Sequence, residues 1–226
     1  MRDGPQPRPP RREVHRAEAL AWLAQNASNE DMGIVTSLPD FSELHELDFA
    51  AWRSWFVTAA QAVLEWVSPS SAAIFFQTDV RRHGVWVEKS HLVLRAAEAA
   101  DARLLWHKII CRTPPGSVTH GRAGYSHLLC FARAARAKRG NASPDVLAEA
   151  GFKPTEKSMG VLACRLACQF LLDETAARVI VDPFCGHGTA LAVANAMGLD
   201  AIGVDRSARC CSAARRLDVT RQLPSQ

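Results

Sequence analysis

The sequence predicts an α/β fold, a mostly parallel sheet covered by helices, and three observations predict it. Short segments rich in β-branched and aromatic residues alternate with Ala/Leu-rich amphipathic stretches. The apolar segment 178–182 runs straight into a turn with two glycines and then a helix start. A second apolar segment, 200–204, ends on an acid, Asp205. The 226 residues suit one domain with a substantial core, and no apolar run is long enough to cross a bilayer.

The elements follow in order. Residues 1–13 are Pro-rich and basic and are expected to form a disordered arm; they lack the apolar region of a secretory signal. A helix over 16–26 leads to a buried strand, Met32–Ser37, ended by Leu38-Pro39-Asp40. In the helix predicted over 48–67, Phe49, Trp52, Trp55, Phe56, Ala59, Val63 and Trp66 recur at helical spacing. Ser71–Thr78 reads as a central strand, followed by a polar turn at 79–84 and a helix over 88–101. Strands at 103–111 and 126–131 are joined by a loop opened by Pro114-Pro115-Gly116, the pattern of an antiparallel edge hairpin. A helix at 156–172, strand 178–182, helix 189–197, strand 200–204 and a helix from 207 complete a single domain over 14–226.

Charge and cysteine usage narrow the function classes. The net charge is +4, a mild excess. It is concentrated in two clusters, Arg133, Arg136, Lys138, Arg139 and Arg206, Arg209, Arg215, Arg216. Such clusters suit phosphate backbones, and equally suit a solvated face. The seven cysteines are an odd number set mostly in apolar elements, which fits reduced thiols and a cytoplasmic location. Cys164 and Cys168 lie one helical turn apart, but no second pair at metal-like spacing completes a site. They are read as core, and no metal is expected.

The glycine turn carries the strongest signal. In Arg178–Thr189 a strand, a turn and a helix start place a ligand at the carboxyl end of the strand and the positive end of the helix. Gly186 and Gly188 let the backbone approach a ligand, and Thr189 can cap the helix. Asp205 can accept hydrogen bonds from two ribose hydroxyls. A nicotinamide cofactor would use that acid too, but the turn is G-x-G-T rather than G-x-G-x-x-G. An acid at Asp182 suits a cationic ligand better than a pyrophosphate.

The segment Asp182, Pro183, Phe184, Cys185, Gly186, His187, Gly188, Thr189 resembles the S-adenosylmethionine-binding motif of the amino-methylating (N6-adenine/N4-cytosine) nucleic-acid methyltransferases. Lys153-Pro154-Thr155-Glu156-Lys157-Ser158 is similar to the H-P-T-x-K-P segment that precedes the cofactor strand in that family, without its final Pro. The resemblance implies a Rossmann-like methyltransferase fold with a mostly parallel seven-stranded sheet. It also implies S-adenosylmethionine as cofactor, held by Asp182–Gly186, Gly188, Thr189, Asp205 and Thr155; His187 is read as a space-filling variant.

The family's catalytic motif is D/N/S-P-P-Y/F, and its matching place here is Ser37, Leu38, Pro39, Asp40, Phe41. Lying upstream of the cofactor loop, it implies the circularly permuted beta-class order, a catalytic half at 14–133 and a cofactor half at 153–217. In this motif a polar side chain and a main-chain carbonyl accept from the amino group of a flipped base, while an aromatic ring stacks on it. Ser37 and the Leu38 carbonyl match the acceptors. Leu38 stands for the first Pro, Asp40 stands where the aromatic belongs, and Phe41 comes one residue late. Asp40 could bond a base edge or act as a base.

Only the short stretch Ala132–Phe152 is available for a recognition insert, too little for a separate groove-reading domain, so RNA is expected ahead of DNA. Candidate nucleic-acid contacts are Arg112, Arg122, Tyr125, Arg136, Lys138 and Arg139. The altered motif also suggests a different class of protein, a non-catalytic subunit or nucleic-acid-binding partner on the same fold. A methyltransferase acting on protein or small molecules is a third reading. A homodimer or an activating partner has room on the exposed edge and on the aromatic helix.

Overall fold

The computed structural model describes residues 8–138 and 143–223. Its centre is an eight-stranded sheet, one strand more than expected, in the order β1-β10-β9-β2-β3-β7-β6-β8. The strands are β1 (Arg12–Arg16), β2 (Met32–Thr36), β3 (Ala73–Gln77), β6 (Arg103–Cys111), β7 (Tyr125–Ala132), β8 (Val146–Leu147), β9 (Val179–Asp182) and β10 (Asp200–Asp205). All neighbours are parallel except β7, which runs against both β3 and β6. The polar turn expected at 79–84 is a separate hairpin, β4 (Val80–Arg82) and β5 (Val85–Val87), whose tip places His83 and Gly84 at positive φ.

Helices α1 (Ala19–Gln25), α2 (Phe49–Trp66) and α3 (Lys89–Ala99) cover one face. Helices α4 (Val161–Glu174), α5 (Thr189–Ala196) and α6 (Ala208–Arg216) cover the other. In α2 the three-and-four spacing buries Trp52, Phe56, Ala59, Ala60, Val63 and Leu64, and the Asp48 carboxylate caps the helix by accepting from Ala51 N–H. Each large side chain taken out of water there contributes about 1.5–3 kcal/mol. Cys164 and Cys168 are buried in α4 as core residues, and burial raises both thiol pKa values, that of Cys168 to about 12.

The basic arm differs from expectation from residue 8 onward. Arg12–Arg16 pairs in parallel with β10, and Arg8 bonds Asp200 at 2.6 Å. The Arg12 guanidinium donates to Asn195 Oδ1 and to the Ala214 and Leu217 carbonyls, closing the end of α6. A polar stretch with one buried apolar residue, Val14, becomes an edge strand because β10 and α6 supply partners for its backbone and arginines. Helix 16–26 shortens for the same reason. The helix expected from 156 begins at Val161, since residues 155–158 form a turn closed by Ser158 N–H to the Thr155 carbonyl.

The register sets which residues share an end. Thr36, Gln77, Asp182 and Asp205 terminate parallel strands at one end of the sheet. Because β7 is reversed, its first residue Tyr125 opposes Cys111, the last of β6, at that same end. Phe131 opposes Ala73, so the chain leaving β7 emerges at the opposite end.

Candidate functional site

At the carboxyl end of the parallel strands lies an open cavity of about 870 Å³. The β9–α5 loop forms its floor, with Pro183, Phe184, Cys185, Gly186, His187 and Thr189 on the wall. Gly188 has φ 82°, and a Cβ there would lie 2.7 Å from Ala214 Cβ, so only glycine fits. Gly186 has φ 49° and nothing within 4 Å of an added Cβ, which leaves its backbone open. Gly188, not Thr189, is the N-cap of α5; Thr189 is the first helical residue.

Asp205 lies on the wall with both carboxylate oxygens partly engaged. Gly186 N–H donates to Oδ2 at 3.1 Å and Ser207 N–H to Oδ1 at 2.7 Å. Each oxygen keeps a second lone pair for a ligand hydroxyl. Asp182 is placed differently. It is fully buried, absent from the cavity wall, and its Oδ1 accepts from Thr36 Oγ1 at 2.6 Å and Phe184 N–H at 3.1 Å. It therefore ties the cofactor loop to the end of β2. Burial is the main cause that raises its pKa to about 7, with Asp205 adding repulsion and the two hydrogen bonds opposing. Its Oδ2 accepts no hydrogen bond from the protein.

The loop after β2 forms the facing wall through Ser37, Leu38 and Pro39. The next two residues turn away from it. The Asp40 carboxylate caps a single 3-10 turn, Phe41–Glu43, accepting from Phe41 N–H at 2.7 Å, and its Oδ2 lies 3.6 Å from Lys89 Nζ and 3.4 Å from Arg122. Phe41 packs edge-on against Phe49 and Trp52, beneath the Arg82 guanidinium. Sequence spacing put both residues on the cavity, but the buried ammonium of Lys89 and the α2 aromatic cluster hold them off it. Trp55 and Phe184, packed edge to face, provide the aromatic surface of the cavity.

Thr155 and Ser158 line the side, their hydroxyls 2.8 Å apart. Two ion pairs span the walls, Arg206 to Glu46 at 2.6 Å and Lys157 to Glu43 at 3.6 Å. Residue spacing gave no signal for Glu18, Glu43 or Glu46, which arrive on the wall from α1 and the loop before α2.

Arg112, Arg122 and Tyr125 lie at this end of the sheet. Arg136 and Lys138 do not: they follow β7 at the opposite end. There Arg136 donates to the carbonyls of residues 133–135, and Lys138 donates to Glu174 and to the Asp173 carbonyl. Arg133 similarly caps α2 through the Glu65 and Val67 carbonyls. Arg133 and Lys138 satisfy helix ends, and Arg136 the carbonyls of its own turn, rather than facing the cavity. Arg139 lies outside the described residues.

The fold is shared with solved proteins. The chain is similar to TTHA0409 of Thermus thermophilus, provisionally named a DNA modification methylase and solved with S-adenosyl-L-methionine; the TM-score is 0.71 at 18% identity, covering 90% of this chain and 91% of that one. It is also similar to PvuII DNA methyltransferase (cytosine-N4-specific), with a TM-score of 0.67 at 16% identity over 92% and 87% of the two chains. A third similar structure is the M1.HpyAVI–SAM complex, at 0.59 and 14% over 91% and 98%. This is a SAM-dependent methyltransferase fold. No family model and no curated protein matches the chain.

The wall of this methyltransferase-fold cavity fits S-adenosylmethionine. Asp205 offers lone pairs for ribose hydroxyls, and Gly186 leaves an open backbone beside it. Glu18, Glu43, Glu46, Glu156 and Asp205 outnumber Lys157 and Arg206, a balance that favours a cation. No helix among the described residues is long and apolar enough to cross a membrane.

Proposed function

We propose that the chain transfers a methyl group from S-adenosylmethionine to an exocyclic amino nitrogen of a base in nucleic acid. The observation that carries this reading is one cavity walled on one side by Pro183–Gly186 and Asp205, and on the other by Ser37, Leu38 and Pro39. Asp205, Gly186 and Thr155 would hold the cofactor, which supplies an electrophilic methyl group. Across the cavity, Ser37 Oγ and the Leu38 carbonyl accept from the target amino group, turning its lone pair toward the cofactor side. Pro39 keeps the turn rigid. In-line geometry and charge placement supply most of the acceleration.

The solved neighbours whose names carry a substrate, PvuII DNA methyltransferase and the provisionally named DNA modification methylase TTHA0409, are named for DNA, so DNA takes the place of RNA as the first substrate to test. The strand order supports a permuted arrangement of one domain, catalytic half 14–133 and cofactor half 153–217: β9, ninth in the chain, lies between β10 and β2. A second reading, a non-catalytic subunit, is favoured by Asp40 and Phe41, whose side chains leave the wall where the motif expects a stacking ring.

Incubation with methyl-labelled S-adenosylmethionine, unmodified genomic DNA and total RNA tests the reading. Label is expected in nucleic acid with the native chain and not with Ser37→Ala. Cofactor binding by calorimetry without label in either pool would move the assignment to the non-catalytic subunit.

A further inference from the structure

The cavity end of the sheet carries a second surface, outside the cavity wall. Among the described residues, Trp86 and Val85 at the β4–β5 hairpin, Val118, Tyr125 and Phe152 are exposed large apolar side chains, Trp86 by 44% and Tyr125 by 41%. They belong to the hairpin, the loop between β6 and β7, the start of β7 and the approach to α4, and the register brings the last residue of β6 and the first of β7 to this end. The hairpin is fixed: Arg81 N–H donates to the Gly121 carbonyl at 2.7 Å, Ala123 N–H to the Asp79 carbonyl at 3.3 Å, and Val80 bridges Arg122. At its base, the Asp79 carboxylate accepts from Lys89 N–H at 2.8 Å and lies 3.1 Å from His127 Nε2.

Two features give this surface a chemical preference. The Arg81 guanidinium sits 4.9 Å from the Trp86 ring centre, orienting an indole that solvent still reaches. Arg112 donates to the Ala123 and Gly124 carbonyls of the loop that pairs with the hairpin and shares a small cleft with Lys153, while Arg122 is paired with Asp40 at 3.4 Å. A cation bonded to the loop that pairs with the hairpin, together with an oriented, exposed aromatic on that hairpin, matches a strand of phosphates and bases. A protein surface would more often meet an apolar patch with few like charges around it.

We infer that the β4–β5 hairpin and the adjoining 112–124 loop form a nucleic-acid grip: Trp86 stacks on an unpaired base, and Arg112 and Lys153 bind the flanking phosphates. This rests on the proposed methyl transfer to nucleic acid and names the contact that would replace a recognition domain. The hairpin is anchored to the catalytic-loop region, since Arg82 lies 4.9 Å from the Phe41 ring centre and 4.5 Å from that of Phe49. A strand held on Trp86 is thus held relative to Ser37.

The test is fluorescence anisotropy of a short labelled single-stranded DNA over a salt series. It compares the full chain with Trp86→Ala, Arg112→Gln and, at the far end of the sheet, Arg136→Gln. Trp86→Ala is expected to weaken binding roughly 5- to 100-fold. Arg112→Gln should lower the slope of log affinity against log salt by about 0.7. Arg136→Gln should change neither. Unaltered cofactor binding and thermal midpoints would show the variants folded. Native-like affinity and slope in both Trp86→Ala and Arg112→Gln would overturn the inference, as would an absence of DNA binding by the native chain. Methyl transfer untouched by Trp86→Ala would refute the grip and spare the proposed activity. Trp86-dependent binding without methyl transfer would do the reverse.

Discussion

The loops after β9 and β2 leave adjacent strands at the same end of the sheet, yet they hold their shapes by different means. The β9 loop is specified by its backbone. Gly186 and Gly188 take positive φ, Gly188 N–H bonds the Cys185 carbonyl at 2.7 Å, and Gly186 N–H bonds Asp205. The β2 loop is specified by side chains. Asp40 caps its turn and faces Lys89 and Arg122, Phe41 enters the aromatic cluster of α2, and Trp52 Nε1–H donates to the Pro39 carbonyl at 3.3 Å. A backbone-built loop announces itself through glycine. A side-chain-built loop can change its residues wherever distant partners change with them, and here Lys89, Arg122 and Arg82 are those partners.

The largest expected effect is on the backbone-built loop. Gly188→Ala must place a Cβ against Ala214 at a φ that L side chains rarely adopt. Loss of cofactor binding by calorimetry is expected, with a thermal midpoint lowered by roughly 3–10 °C. Gly186→Ala, with open space around its Cβ, should keep the midpoint within a few degrees and lose cofactor affinity alone. Equal damage from both would break the distinction between a packing glycine and a ligand-facing one.

Asp40→Asn and Ser37→Ala divide the side-chain-built loop. Lys89 is buried and its pKa is lowered, first by that burial, while Asp40 opposes the shift. Removing the Asp40 charge leaves a buried ammonium short of a partner, so stability by urea unfolding should fall by roughly 3 kcal/mol. The turnover of the folded fraction should change little. Ser37→Ala should do the opposite, leaving the midpoint alone and lowering kcat about a hundredfold. Turnover lost in Asp40→Asn with stability intact would return Asp40 to a catalytic part.

Sequence made the cofactor half legible because its requirements are local. Apolar β9, the glycine turn and Asp205 are short-range signals; Pro183–His187, Thr189 and Asp205 line one cavity, while Gly188 packs against Ala214 and Asp182 is buried. The helix at α2 is equally plain from spacing. Strand β1 was not, because its pairing with β10 and its Arg8–Asp200 contact join residues at opposite ends of the chain. The basic cluster at 133–138 misled for a related reason. Charge density along the sequence does not say at which end of a sheet the chain emerges, and the reversal of β7 sends these residues away from the cavity. The orientations of Asp40 and Phe41 depend on Lys89 and the α2 rings, which no local pattern encodes.

Asp182 belongs to both loops, and titrating it sharpens the comparison with the smallest change. Its carboxyl has a folded pKa raised to about 7 from an ordinary 3.8, chiefly by burial. Between those values the folded chain holds a proton that the unfolded chain has released, so stability is fullest below pH 4 for this group and declines as pH rises toward 7. At about 1.4 kcal/mol per pKa unit, the decline between pH 5 and 7 is on the order of 2 kcal/mol. Asp182→Asn keeps an oxygen to accept from Thr36 and Phe184, and its amide replaces the protonated Oδ2. Urea midpoints of the variant and the native chain should agree near pH 5 and separate as pH rises from 5 to 7, with the variant the more stable and the gap constant above that. Parallel curves across that range would mean that the carboxylate is ionised throughout. The link between the two loops would then be a charge–hydroxyl bond rather than a neutral one.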